Sequence, residues 1–155
     1  MTTRRQVVVA SAVAGVAAGL PLAAQAQSTP IRIGEINSYS TIPQFTLPYR
    51  MGLQLAVDEV NAAGGLLGRR VEVISRDDAG KPEDATRLAT ELMTNENVVL
   101  ITGTFLSNVG LAVADFALRN RIVFVAAEPL SDALVWEKGN RYTFRLRPST
   151  YMQSA

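Results

Sequence analysis

The sequence predicts a doubly wound α/β domain: a mostly parallel sheet with helices on both faces. Two observations carry that expectation. From Ile31 onward, short apolar runs alternate with helical patterns at a regular spacing. Two of the runs, VVLIT (98–102) and IVFVA (122–126), are apolar on both faces, as central parallel strands are.

Each element has its own signal. IRIGEIN (31–37) is the first strand, and Leu53, Ala56, Val57 and Val60 then recur at i, i+3, i+4 and i+7 to give a helix face. That helix stops at Gly64-Gly65, where glycine takes a left-handed cap. VEVISRD (71–77) is the second strand. Pro82 opens a helix with Glu83 and Asp84 in its positive first turn, and Ala85, Leu88, Ala89 and Leu92 form its stripe. The two apolar runs enclose a third helix on Val109, Val113, Phe116 and Ala117; YTFRL (142–146) is a fifth strand, and a further helix begins at Ser149. The chain stops within that helix, too short to stand alone, so a fragment of a longer protein is expected.

The first residues read differently. MTTRRQVVVASAVAGVAAGLPLAAQAQ has a basic start, a short apolar run broken by glycines and Pro21, and Ala24-Gln25-Ala26. This is the pattern of a secretory signal cleaved after Ala26, and Arg4-Arg5 also fits a twin-arginine export signal. Residues 1–26 are therefore expected to be a leader, and 27–155 one domain of 129 residues.

Loss of Arg4 and Arg5 takes the formal charge from +1 to −1, which argues against nucleic acid as a partner. The chain has no cysteine and no histidine. That excludes the usual zinc ligands, cysteine nucleophiles and any serine–histidine pair, and no cofactor or metal is implied.

In an open α/β sheet, ligands sit at the carboxyl ends of the strands. Four loops are expected there: 38–47, 77–81, 103–107 and 127–133. At Gly103-Thr104-Phe105-Leu106-Ser107-Asn108 neither the GxxxxGK[ST] nor the GxGxxG phosphate pattern is present, and Ser107 lacks the G-x-S-x-G context of a hydrolase. An anion cradle remains, with free N–H groups, the helix dipole and the Ser107 hydroxyl converging. The alternative is that Ser107 is simply an N-cap. Asp77-Asp78, followed by Gly80-Lys81-Pro82, reads as turn chemistry rather than a metal pair. Glu128 reads as a solvated side chain, with Pro129 setting its turn, while Phe105, Tyr39 and Phe45 are either pocket walls or ordinary packing.

VDEVNAAGGLLGRRVEVISRDDAGKPEDATRLATELM, ITGTFLSN, AAEPLSDAL and NRYTFRLRPS together resemble the amino-terminal lobe of bacterial periplasmic solute-binding proteins. The resemblance is to the leucine/isoleucine/valine-binding type that feeds ABC transporters, and it covers 31–155. It implies two lobes closing on a ligand, of which this chain carries one. Ser107 would hold the ligand's α-carboxylate beside Asn108. The turn Glu128-Pro129-Leu130-Ser131 would supply a carbonyl for an ammonium and a hydroxyl. Leu130 stands where the family has threonine, unless the register slips to Ser131. An aromatic of the first loop, Phe45 or Tyr39, would cover the ligand, and the acid that pairs with the ammonium would lie in the second lobe.

The resemblance further implies a small-molecule amino acid or other carboxylate as ligand, an inner-membrane ABC permease as partner, and a periplasmic location. A sensor or receptor domain is the alternative, and an α/β enzyme with its catalytic groups in a missing half is the third reading.

Overall fold

The computed structural model describes residues 29–155, so the leader expected at 1–26 lies outside them. The strands are β1 (Ile31–Asn37), β2 (Val71–Asp77), β3 (Leu100–Gly103), β4 (Val123–Ala126) and β5 (Thr143–Arg145). They form one sheet in the order β2-β1-β3-β4-β5 with every pair parallel. The helices α1 (Pro43–Ala62), α2 (Pro82–Thr94), α3 (Ser107–Asn120) and α4 (Thr150–Ser154) alternate with them, and a 3-10 turn covers Asp132–Leu134. The doubly wound expectation holds.

The core lies between α2, α3 and one face of the sheet. Ile36, Ile101, Phe124 and Ala126 come from the strands, Leu88, Ala89 and Leu92 from α2, and Val109, Val113 and Ala117 from α3. Burying each of the large side chains contributes about 1.5–3 kcal/mol. Gly34 shares this face: a Cβ there would stand 3.0 Å from Leu92. Its neighbour Glu35 points to the opposite face, since alternate strand residues do. There Ser75, Glu35 and Thr102 stand side by side across β2, β1 and β3.

Pro82 opens α2 at its first position, with Glu83 and Asp84 in the first turn. Asn61 near the end of α1 holds the start of β2 with two hydrogen bonds. Its Nδ2 donates to the Val71 carbonyl at 2.9 Å, and its Oδ1 accepts from the Val71 N–H at 2.8 Å. Gly64 and Gly65 follow at φ of 100° and 78°.

The sequence reading departs from the structure in three places. The first loop does not run from 38 to 47: α1 begins at Pro43, so Phe45 is helical, and Pro48 lies inside the helix. Strand β3 begins only at Leu100, after Val98 has packed into the core, and β4 and β5 are likewise shorter than read, at Val123–Ala126 and Thr143–Arg145. On α1 the expected face is only partly covered: Val57 is buried, Ala56 is exposed, and Leu47, Met51 and Leu55 form an exposed row.

Candidate functional site

The strand order places the divergence of connections between β1 and β3. After β1 the chain turns outward to β2; after β3 it turns the other way to β4. The loops therefore open a crevice over the carboxyl ends of these two strands, the usual ligand position in such sheets. Two backbone features shape its floor. Gly103 has φ of 104°, and a Cβ on it would lie 2.4 Å from the Ile36 carbonyl oxygen, so only glycine lets β3 end this close to β1. Thr104 follows at φ of 55°, an uncommon conformation for a β-branched residue, and its N–H donates to the same carbonyl at 2.6 Å. Thr104 is fully buried, and its Oγ1 has no hydrogen-bond partner among the described residues.

Above this floor stands the start of α3. Leu106, not Ser107, occupies the N-cap, and no side chain caps the helix. The capping alternative for Ser107 is thereby corrected: Ser107 is the first helical residue. The first intrahelical bond is Gly110 N–H to the Leu106 carbonyl at 2.9 Å, so the N–H groups of Ser107, Asn108 and Val109 precede the helical ladder. The Ser107 Oγ accepts the Ser131 N–H at 3.2 Å. A hydroxyl that accepts in this way keeps its own proton to donate. The site thus presents an O–H, the leading N–H groups and the positive end of a 14-residue helix, a set that favours an anion.

The turn after β4 lies against α3 through Gly110. A Cβ there would stand 2.6 Å from Pro129 Cγ and 3.1 Å from Thr104 Oγ1. The turn is also strapped from β5 and α4. Arg145 Nη2 donates to the Ser131 carbonyl, and the Leu130 carbonyl accepts both the N–H and the Oγ of Thr150 at 2.9 and 3.1 Å. Glu128 is half-buried and ion-paired with Arg147, which corrects the expectation of a merely solvated side chain. Leu130 offers no hydroxyl; at the neighbouring position the Ser131 N–H makes the contact with Ser107.

The aromatic residues separate into two groups. The Phe45 and Phe105 rings stack at 5.2 Å with 26° between planes, joining α1 to the loop after β3, and Phe45 is 56% exposed. Tyr39 turns away to the α1 face of the sheet, where its hydroxyl donates to Glu35 Oε2 at 2.8 Å and the Arg50 guanidinium lies 5.3 Å over its ring. Burial pushes the Glu35 carboxyl up to about 7, against the pull of the Tyr39 hydrogen bond. Asn108 is exposed at the rim.

Asp77 and Asp78 are a turn, as read. Asp78 is buried and accepts the Ser38 hydroxyl at 2.6 Å and the Gly80 N–H at 2.7 Å, while Asp77 accepts the N–H groups of Ser40 and Ala79. Glu35, Thr104, Gly110 and Arg145 were missed as site residues. Only Glu35 left a visible signal, an acid between Gly34 and Ile36 in the middle of a strand.

The family model described as Periplasmic binding protein matches residues 30–155. The chain belongs to that family. The Leu/Ile/Val-binding protein homolog 8 of Brucella abortus (strain 2308) is 38% identical over 98 residues, 63% of this chain and 24% of that protein. Among solved structures, the branched-chain amino acid transporter substrate binding protein LivJ from Streptococcus pneumoniae, in complex with isoleucine, has a TM-score of 0.71 and 29% identity. The match covers 78% of this chain and 34% of LivJ. A solute binding protein of an ABC transporter from R. palustris, in complex with benzoate, has a TM-score of 0.71 and 25% identity over 78% of this chain and 33% of its own. The chain thus spans about a quarter of that curated relative and a third of those solved chains.

Proposed function

We propose that this chain is the amino-terminal ligand-binding lobe of an extracytoplasmic substrate-binding component of an ABC transporter. It captures a carboxylate-bearing solute between two lobes and delivers it to an inner-membrane permease. The observation that carries the reading is the uncapped start of α3, where Ser107 accepts from Ser131 and keeps its proton for an incoming acceptor. Isoleucine and benzoate, the ligands of the two solved relatives, have a carboxylate in common. The family supports an exported, periplasmic setting, with residues 1–26 as a cleaved leader.

In this reading the carboxylate lies over Ser107 and the first N–H groups of α3, with the Phe45–Phe105 stack as one wall. Glu128, Leu130 and Ser131 border it, and Asn108 sits at the mouth. Tyr39 is a support rather than a cover, because its hydroxyl is engaged by Glu35. A charge-assisted hydrogen bond contributes about 1.5–3 kcal/mol and the helix end up to about 2. Micromolar affinity needs about −8 kcal/mol beyond association costs of at least about 4. One lobe does not reach that sum, so closure of a second lobe supplies the rest.

The test is calorimetric titration of the full-length protein with isoleucine and with benzoate, followed by Ser107→Ala. The variant weakens the better ligand by about tenfold or more, as loss of a hydrogen bond to a charged group requires. Unchanged affinity removes Ser107 from the site.

A further inference from the structure

We infer that Glu35 is a positioning residue: it latches the first loop and the start of α1, and with them Phe45, onto the sheet. Nothing in the ligand reading assigns this acid a role, and the inference stands whatever solute the crevice takes.

The geometry is that of a latch. Glu35 is fully buried in the middle of β1, on the sheet face beneath α1. One carboxyl oxygen, Oε2, receives the Tyr39 hydroxyl; the other, Oε1, is buried with no partner among the described residues. That free oxygen lies 3.1 Å from where a Cβ would stand on Gly103, so the carboxyl is wedged against the end of β3 as well. Tyr39 in turn is covered by Arg50 of α1. In the first half of helix α1 Thr46 is the one fully buried residue and Tyr49 is half-buried, while Leu47 and Met51 are exposed. The same half carries Phe45, which reaches the crevice only by stacking on Phe105.

A structural acid need not have been placed here, since a valine would suit the strand and its burial. A half-satisfied buried carboxyl makes the latch sensitive to its proton. The groups facing it from each packed element are Tyr39 from the loop, Tyr49 and Arg50 from α1, Asn37 from β1 itself, Ser75 from β2 and Thr102 from β3. Glu128 acts on Tyr49 from beyond β4 and is paired with Arg147. Both tyrosines are pushed upward by burial, Tyr49 to about 12, so neither titrates near neutrality. Burial lifts Glu35 from 4.5 to about 7. Between those values the closed latch holds a proton that the opened, hydrated one releases. Raising pH across this window therefore favours opening, by up to about tenfold per pH unit, and the effect levels off above about 7.

The experiment is hydrogen–deuterium exchange of the intact protein without ligand, between pH 5 and 8, corrected for intrinsic exchange. Peptides covering residues 38–50 lose protection as pH rises in the wild type, and the loss is smaller in Glu35→Gln, which keeps the shape and an acceptor but not the proton. Asp77 and Asp78 hold the same loop from the β2 side and are common to both proteins, so the difference between them isolates Glu35. Tyr39→Phe removes the latch bond itself and lowers the protection of the same peptides at every pH in the window; it serves as the independent variant should Glu35→Gln fail to fold. A flat wild-type profile overturns the inference. So does an equal slope in Glu35→Gln, or unchanged protection in Tyr39→Phe.

Discussion

Replacing Gly110 by alanine tests how the crevice is assembled. The new methyl would lie 2.6 Å from Pro129 Cγ and 3.0 Å from Pro129 Cβ. Carbon atoms in contact prefer about 3.5–4.0 Å, so one partner must retreat by about 1 Å. Proline is a rigid ring and α3 is packed against the core, so the turn at 128–131 is the part that moves. A shift of that size stretches the Ser131 N–H to Ser107 Oγ bond, now 3.2 Å, past hydrogen-bonding distance. Overpacking costs about 1–3 kcal/mol, while alanine in a helix regains about 1 kcal/mol over glycine. The net expectation is a loss of about 0–2 kcal/mol in a urea melt at unchanged slope. The Ser131 amide should also lose protection in exchange measured by NMR. If Gly110→Ala instead gains about 1 kcal/mol and leaves the Ser131 amide as protected as before, the turn does not rest on α3 as described.

Other outcomes follow from the same contacts. Asp78→Ala strands the buried Ser38 hydroxyl and the Gly80 N–H, and should cost about 1–3 kcal/mol for each orphan in chemical denaturation. Burial raises the Asp78 carboxyl, so the folded chain keeps that proton to higher pH than the unfolded one. Its contribution to stability therefore falls as pH climbs above the unfolded value of about 3.9, and Asp78→Asn should remove that slope in thermal melts against pH. Residues 27–155 on their own should bind isoleucine or benzoate no better than millimolar; micromolar calorimetric binding would show that one lobe suffices.

The fold was readable because its signals are local. Pro82 with Glu83 and Asp84, the stripe from Ala85 to Leu92, and the two doubly apolar runs each act within a few residues. The start of α1 was harder, because Leu47, Met51 and Leu55 are exposed and interrupt the periodicity that Val57 would otherwise reveal. Pro48 inside the helix misleads in the same direction. At the crevice, the glycine turn and Ser107 could be singled out as residues. The bond between Ser107 and Ser131, 24 positions apart, could not, because nothing in either segment specifies the other. The partners of the two aromatic residues were likewise hidden: Tyr39 bonds Glu35 beneath α1, and Phe45 stacks on Phe105, 60 positions away.

The straps on the 128–131 turn come from Arg145, Arg147 and Thr150, all downstream of it. The four strands and three helices that precede residue 127 can therefore pack before the crevice has its final outline. A chain cut back to Asn140 would keep a sheet and a core, yet its Leu130 and Ser131 carbonyls would lose their partners and the mouth it offers a solute would be loosely formed.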